Sequence, residues 1–152
     1  MQKAFTMIEL VFAIVVIGIL AVIAVPKFAP IINTAKDAKA KATLSSVRSA
    51  ISTERQKLIL RGKFNSPIGD IGDITGQDRY SFAYFDGNVS RPVLDYPLKK
   101  CTSDSSSGCW KRVDATHYRY QFTSSTDSAK FVLKNNRLDC DGDATDCAKI
   151  SQ

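Results

Sequence analysis

An apolar run near the N-terminus constrains this chain more than any other feature. Between Phe5 and Val25 the only charged residue is Glu9, and the sixteen residues from Leu10 to Val25 carry no charge. As an α-helix, this run would extend about 31 Å at about 1.5 Å per residue, which matches the roughly 30 Å hydrocarbon core of a bilayer. The sequence therefore predicts a membrane-spanning helix at this position.

Glu9 argues against a cleaved secretory signal. A carboxylate inside the membrane costs a few kcal/mol, so such a residue is expected to have a function, and a disposable signal has no use for one. Secretory signals also begin with a basic region, whereas Lys3 is the only base before the apolar run. An ordinary anchor with a stray acid is the other alternative. We predict that the segment is retained and that Glu9 is functional.

The residues around Glu9 resemble the N-terminal signature of type IV prepilins. Residues 3–10 are Lys-Ala-Phe-Thr-Met-Ile-Glu-Leu, with a short basic leader, a Phe after the cleavage point and a Glu at the fifth processed position. The resemblance implies a leader of residues 1–4, cleavage between Ala4 and Phe5, and N-methylation of Phe5. Ala4 departs from the family, which usually has Gly before the cut.

The same resemblance implies an assembly role for Glu9, Gly18 and Pro26. In a filament, the Glu9 carboxylate would pair with the Phe5 amine of a neighbouring subunit, and pairing makes a carboxylate tolerable in apolar surroundings. Gly18 and Pro26 lie where pilins commonly have residues that loosen or kink the helix. The implied partners are other pilin subunits, a prepilin peptidase and methyltransferase, and an inner-membrane assembly platform.

The charge of the chain is concentrated in the segment after the apolar run. The net charge is +6, and residues 36–63 hold eight bases and two acids, so this stretch carries the whole surplus. Lys and Arg attract phosphate, and nucleic-acid binding is one interpretation. The interpretation that we favour is a solvated helix face with ion pairs between subunits, because the same helix carries the apolar stripe that should be buried in a filament.

Periodicity predicts an α+β fold. Apolar or small residues recur at spacings of three, four and seven between Phe28 and Leu58, which predicts one long helix from about Phe5 to Arg61 that could break near Pro26. Alternating patterns predict strands at 80–85, 118–122 and 131–138, with a hairpin turn at Asn135-Asn136. We therefore expect a long N-terminal transmembrane and amphipathic α-helix packed on a small antiparallel β-sheet head, as in pilins. The predicted segments are the leader 1–4, the transmembrane and assembly helix 5–26, the amphipathic helix 27–63 and the globular head 64–152.

The head contains all four cysteines, which are Cys101, Cys109, Cys140 and Cys147. If Phe5 is processed on the cytoplasmic side, the head is exported to a compartment where disulfides persist. Three pairings are possible. We favour Cys101–Cys109 and Cys140–Cys147, because each closes a polar loop and pilin-like proteins often have a disulfide near the C-terminus. Zinc is the alternative, but gaps of seven and six residues exceed the usual spacing between zinc ligands.

Four acids crowd the second cysteine loop: Asp139, Asp141, Asp143 and Asp146. Ca²⁺ prefers oxygen ligands of this kind, and some secretion pseudopilins resemble this chain in carrying a calcium site in the C-terminal loop. The sequence therefore allows a calcium ion, and the favoured alternative is a solvated acidic turn. No other cofactor is expected.

The residues and the resemblance together predict a structural subunit and no enzyme. The only histidine, His117, begins a predicted strand and is expected at the surface, and Trp110 is expected in the core. The predicted subunit polymerises into a type IV pilus-like or type II secretion pseudopilus filament. Alternatives are a DNA-binding minor pilin of a competence apparatus and a membrane-tethered solute-binding module. We expect a single-pass protein of the bacterial inner membrane, N-terminus cytoplasmic and head periplasmic, that later enters a periplasmic or extracellular filament.

Overall fold

The computed structural model describes residues 5–73, 79–103, 105–123, 126–142 and 144–151. The chain divides into two compact units, one up to Ala35 and the other from Lys36 onward. The long helix α1 (Met7–Leu60) contains Pro26 and Pro30 within its span. The break that the sequence allowed near Pro26 is therefore absent, and the helix continues through both prolines.

Helix α1 ends at the glycine that the sequence indicated. Gly62 has a φ of +74°, a left-handed conformation that residues with a Cβ rarely adopt. Its N–H donates to the carbonyl of Ile59 at 2.9 Å, and the N–H of Lys63 donates to the carbonyl of Leu58 at 2.9 Å. These two bonds form a Schellman motif, which satisfies carbonyls that a helix end leaves without partners.

The head contains one antiparallel sheet of four strands in the order β1-β2-β3-β4. Its strands are β1 (Cys109–Arg112), β2 (His117–Gln121), β3 (Ser128–Lys134) and β4 (Arg137–Cys140). Asn135 and Asn136 join β3 to β4 with φ values of +53° and +57°. Two successive positive φ values are those of a type I′ turn, for which asparagine is well suited. The predicted strands around 118–122 and 131–138, with their hairpin, are confirmed.

The strand predicted at 80–85 is wrong. This segment makes only isolated bridges, at Tyr80 with Lys99 and at Tyr84 with Pro92, and a single 3₁₀ turn follows at Phe85–Gly87. Alternation misled the prediction because Ser81 is fully buried beside its apolar neighbours. Its hydroxyl donates to the carbonyl of Trp110 at 2.8 Å, so a polar residue at this position does not mark a solvent-facing side. The missing strand is β1, which the sequence analysis did not predict.

The core lies between the second half of α1 and the sheet. Leu44, Val47, Ile51 and Leu58 are buried, as the helical spacing predicted. They belong to one hydrophobic cluster with the aromatic side chains of the sheet, which include Trp110, Tyr118, Tyr120 and Phe131. Trp110 is only 3% exposed, which confirms its expected place in the core. The predicted α+β architecture, a long N-terminal helix with a small antiparallel sheet, is confirmed.

A short second helix, α2 (Ala144–Ser151), closes the head. Its inward residues Cys147 and Ile150 are buried, and the ammonium of Lys149 lies 5.1 Å from the centre of the Phe122 ring. The crowded aspartates had indicated an acidic loop at this stretch. A stretch of eight residues is too short for its apolar periodicity to distinguish a helix from a loop. The burial of Cys147 and Ile150 against the head favours the helix.

A buried polar network ties the loop after α1 to the sheet. The Asp70 carboxylate accepts hydrogen bonds from the hydroxyl of Tyr118 at 3.0 Å, from the guanidinium of Arg112 and from the N–H of Gly72 at 2.7 Å. The hydrogen bond to Asp70 raises the pKa of Arg112, so the guanidinium stays charged. Burial and the adjacent Asp70 charge raise the pKa of Tyr118 above its usual value. In this network a charged guanidinium and a protonated Tyr118 hydroxyl both donate to Asp70.

Candidate functional site

The first turn of α1 contains Glu9, the acidic residue that the prepilin resemblance singles out. The N–H of Glu9 donates to Oγ1 of Thr6 at 3.3 Å, and the N–H of Leu10 donates to the carbonyl of Thr6 at 3.2 Å. Thr6 is thus the N-cap, and Glu9 is the third residue of the helix. Thr-x-x-Glu is the spacing of a capping box, in which both residues favour helix initiation.

Thr6 is the functional residue that the sequence analysis missed. The sequence does contain a pattern that could have identified it. A Thr three residues before a Glu and just ahead of an apolar run is typical of a helix start. The placement of Glu9 also suits its charge, since the N-terminus of a helix carries partial positive charge that favours a carboxylate. The cap therefore fixes where the helix begins relative to Phe5.

Around Glu9 the helix exposes an almost continuous apolar surface. Phe5 and Met7 are 82% and 85% exposed, and many apolar side chains as far as Ile32 are more than half exposed. Within the described residues, α1 is the one helix whose length and composition would allow it to cross a membrane, and none of its most apolar window is buried within the chain. Such a surface requires lipid or other helices to cover it.

Gly18 and Pro26 lie on this exposed part of α1. A Cβ built on Gly18 would meet nothing within 4 Å. Packing within the single chain therefore does not explain this glycine, and its assembly role stays a prediction, as does that of Pro26. The leader, residues 1–4, lies outside the described residues, so only the Phe5 side of the predicted cleavage bond is described.

The two disulfides of the head are Cys101–Cys109 and Cys140–Cys147, the pairings that we favoured. The first connects the segment before β1 to its first residue, and the second connects the end of β4 to α2. Each disulfide therefore ties a neighbouring segment of the chain to an edge strand of the sheet. Disulfides persist mainly in oxidising compartments.

The acids of the second cysteine loop lie near basic partners. A carboxylate oxygen of Asp139 lies 3.5 Å from Arg137, one of Asp141 lies 3.6 Å from His117, and one of Asp146 lies 2.8 Å from Lys149. Asp143 lies outside the described residues. Among the residues that the structure describes, no group of three His, Cys, Asp or Glu side chains could hold a metal ion. The calcium ion stays a prediction.

His117 lies at the surface, as expected, between two carboxylates. Its Nδ1 is 2.9 Å from Asp114, and its Nε2 is 3.6 Å from Asp141. The hydrogen bond from His117 and backbone bonds from the same turn hold the pKa of Asp114 well below its usual range. Asp114 also accepts the N–H bonds of Thr116 and His117 at 2.8 and 2.9 Å. The cluster thus stabilises the turn that leads into β2.

Comparison with known proteins agrees with the N-terminal site. A family model described as "Prokaryotic N-terminal methylation motif" matches residues 1–25. The "Type IV narrow pilus major component PilA5" of Thermus thermophilus is 52% identical over 48 residues, which are 32% of this chain and 41% of that relative. The "Fimbrial protein" of Moraxella nonliquefaciens is 44% identical over 55 residues, which are 36% of this chain and 36% of that relative.

These alignments cover less than half of each relative. No solved structure gave a significant match. The similarity to these relatives therefore covers about a third of the chain. Within those bounds it confirms the resemblance drawn from residues 3–10: the chain carries a prokaryotic N-terminal methylation motif, and about a third of it is similar to a type IV pilus component.

Proposed function

We propose that this chain is a subunit of a type IV pilus-like filament, made as a precursor that is cleaved between Ala4 and Phe5 and methylated on Phe5. One observation carries the proposal. Glu9 is placed by the Thr6 cap in the first turn of a helix whose apolar side chains are exposed. Lipid is unfavourable for the Glu9 carboxylate, and water is unfavourable for the apolar side chains. A bundle of the same helices would bury the apolar side chains and would also place a cation beside the carboxylate.

The cation is the free amine that cleavage would create on Phe5. Methylation keeps the positive charge of this amine, and it would lie about one helical turn from Glu9. In a filament the amine of one subunit pairs with the carboxylate of the next, because a buried charge is tolerated only when it is paired. The pair also sets the axial register between subunits, since another offset leaves both charges without partners.

Before assembly, α1 would anchor the chain in the bacterial inner membrane, with the N-terminus in the cytoplasm and the disulfide-bonded head in the periplasm. Cleavage and methylation require a prepilin peptidase and methyltransferase, and assembly requires an inner-membrane platform. The names of both relatives refer to pili or fimbriae, which favours a pilus over a secretion pseudopilus. Nothing in the described contacts or the comparisons favours the DNA-binding alternative.

Shearing of cells tests the choice between pilus and pseudopilus. A pilus subunit is expected in the sheared fraction, in filaments that extend from the cell and are labelled by antibody against the head. Cells that express the chain without the assembly platform provide the control, and they should release none. A chain that stays in the periplasm, and whose loss stops protein secretion, would instead be a pseudopilin.

A further inference from the structure

A groove between α1 and the β3–β4 hairpin brings three arginines together. Arg48 and Arg55 reach it from the helix, and Arg137 reaches it from the first residue of β4. The groove has a volume of about 390 Å³ and is open on one side. Like charges that line one groove repel each other, and an anion bound among the three arginines would offset this repulsion.

Among the described residues, two of these arginines have no carboxylate partner. Within the described part of the chain, no acid lies within ion-pair distance of Arg48 or Arg55, whereas Arg137 is 3.5 Å from Asp139. Asp139 is the one acid that lines the groove. The groove therefore carries three positive charges and one negative charge, which leaves an excess of +2.

The donors of the groove are held in position by the fold. Nε of Arg48 donates to the carbonyl of Leu138 at 3.0 Å, which orients the guanidinium and leaves its terminal NH₂ groups for another acceptor. The Oδ1 of Asn136 accepts the N–H of Ile68 at 2.6 Å, so its amide nitrogen is the part that remains to donate. A groove with several oriented donors and a positive excess is suited to an oxyanion.

We propose that this groove binds a phosphate dianion, either as free phosphate or as the terminal group of a phosphomonoester. Such a group carries a charge of about −1.5 to −2 at pH 7, which matches the excess of the groove. It presents three terminal oxygens, so guanidinium groups can bind it from more than one direction. A carboxylate or a phosphodiester carries a single charge and would leave the groove positive. This inference concerns the head and does not rest on the proposed filament.

The test uses the full chain in detergent micelles with ¹⁵N-labelled arginine. The Nε–H signals are followed by NMR while inorganic phosphate is added at constant ionic strength and pH 7.5. We expect saturable shifts of the Arg48 and Arg55 signals. Arg55→Gln and Arg137→Gln should each weaken binding about tenfold, because each removes charged hydrogen bonds to the ligand.

Lys41→Gln is the matched control, since it removes one charge from an exposed position of the same helix outside the groove. It should bind phosphate like the unchanged chain. The proposal is overturned if no shift saturates, if Lys41→Gln weakens binding as much as Arg55→Gln, or if acetate binds as tightly as phosphate. Glucose 6-phosphate distinguishes the sources: equal or tighter binding assigns the groove to a phosphomonoester, and binding of inorganic phosphate alone assigns it to the free ion.

Discussion

A chain with Glu9 replaced by Ala is expected to enter filaments at least about a hundredfold less often than the unchanged chain when the two are expressed together. The reason is the neighbour's Phe5 amine, which would be buried in the helix bundle without a partner. Removing one member of a buried ion pair costs about 3–5 kcal/mol, and each 1.4 kcal/mol is a factor of ten. The measurement is the ratio of the two chains in sheared filaments by mass spectrometry.

Two further variants separate the charge of Glu9 from its place at the helix start. Glu9→Gln keeps a side chain that can complete the capping box but removes the charge, so it should fail nearly as badly as Glu9→Ala. Thr6→Ala removes the hydrogen bond from the Glu9 N–H to the Thr6 hydroxyl, and such a cap contributes about 1 kcal/mol. Because the charge of Glu9 is kept, this variant should lower incorporation by less than about tenfold. Normal incorporation of Glu9→Ala would contradict the account. If Thr6→Ala lowers incorporation as much as Glu9→Ala, the loss comes from impaired helix initiation and not from the missing charge.

In the head, Asp70→Ala is expected to lower the free energy of unfolding by about 3 kcal/mol, because it leaves the charged Arg112 without its carboxylate and removes the hydrogen bond that the Tyr118 hydroxyl donates to Asp70. We use the low end of the range for broken ion pairs, since the side chain of Arg112 is 20% exposed. Trp110 is the only tryptophan of the chain and lies in the core, so its fluorescence reports unfolding in urea.

The control for this prediction is Asp95→Ala. Asp95 is exposed, and a change there should alter the unfolding free energy by less than about 0.5 kcal/mol. Asp70→Asn should fall between the two, since it keeps the size of the side chain and some hydrogen bonding but loses the charge. If Asp70→Ala unfolds at the same urea concentration as Asp95→Ala, the network does not hold the loop to the sheet.

The sequence predicted those parts of the fold in which the local pattern of apolar and polar residues matches the burial of each residue in the structure. The stripe at Leu44, Val47, Ile51 and Leu58 is buried as its spacing required, and Gly62 ends the helix. The Asn135-Asn136 hairpin was predictable because few residues tolerate two successive positive φ values.

The errors arose where a distant partner decides the environment of a residue. Ser81 is buried because its hydroxyl bonds to Trp110, 29 positions away, and no local pattern contains that partner. Asp70 was not singled out for the same reason, since Arg112 and Tyr118 come from separate strands. Likewise, Arg48 and Arg137 meet in one groove although 88 residues separate them, so the sequence showed only a basic helix.

The N-terminal site was predictable for the opposite reason. Its residues are consecutive, and a carboxylate inside an apolar run is energetically unusual enough to stand out. Structure added the Thr6 cap, which explains how Glu9 comes to lie in the first helical turn. It also showed that Gly18 has open space around it, so packing within the single chain does not require a glycine at this position.

The intact mass of the chain recovered from sheared filaments tests the central claim most directly. The account predicts one species that lacks residues 1–4, begins at Phe5, carries one methyl group on its amine and retains both disulfides. A chain that still begins at Met1, found in filaments or held in the membrane with normal abundance, would contradict it.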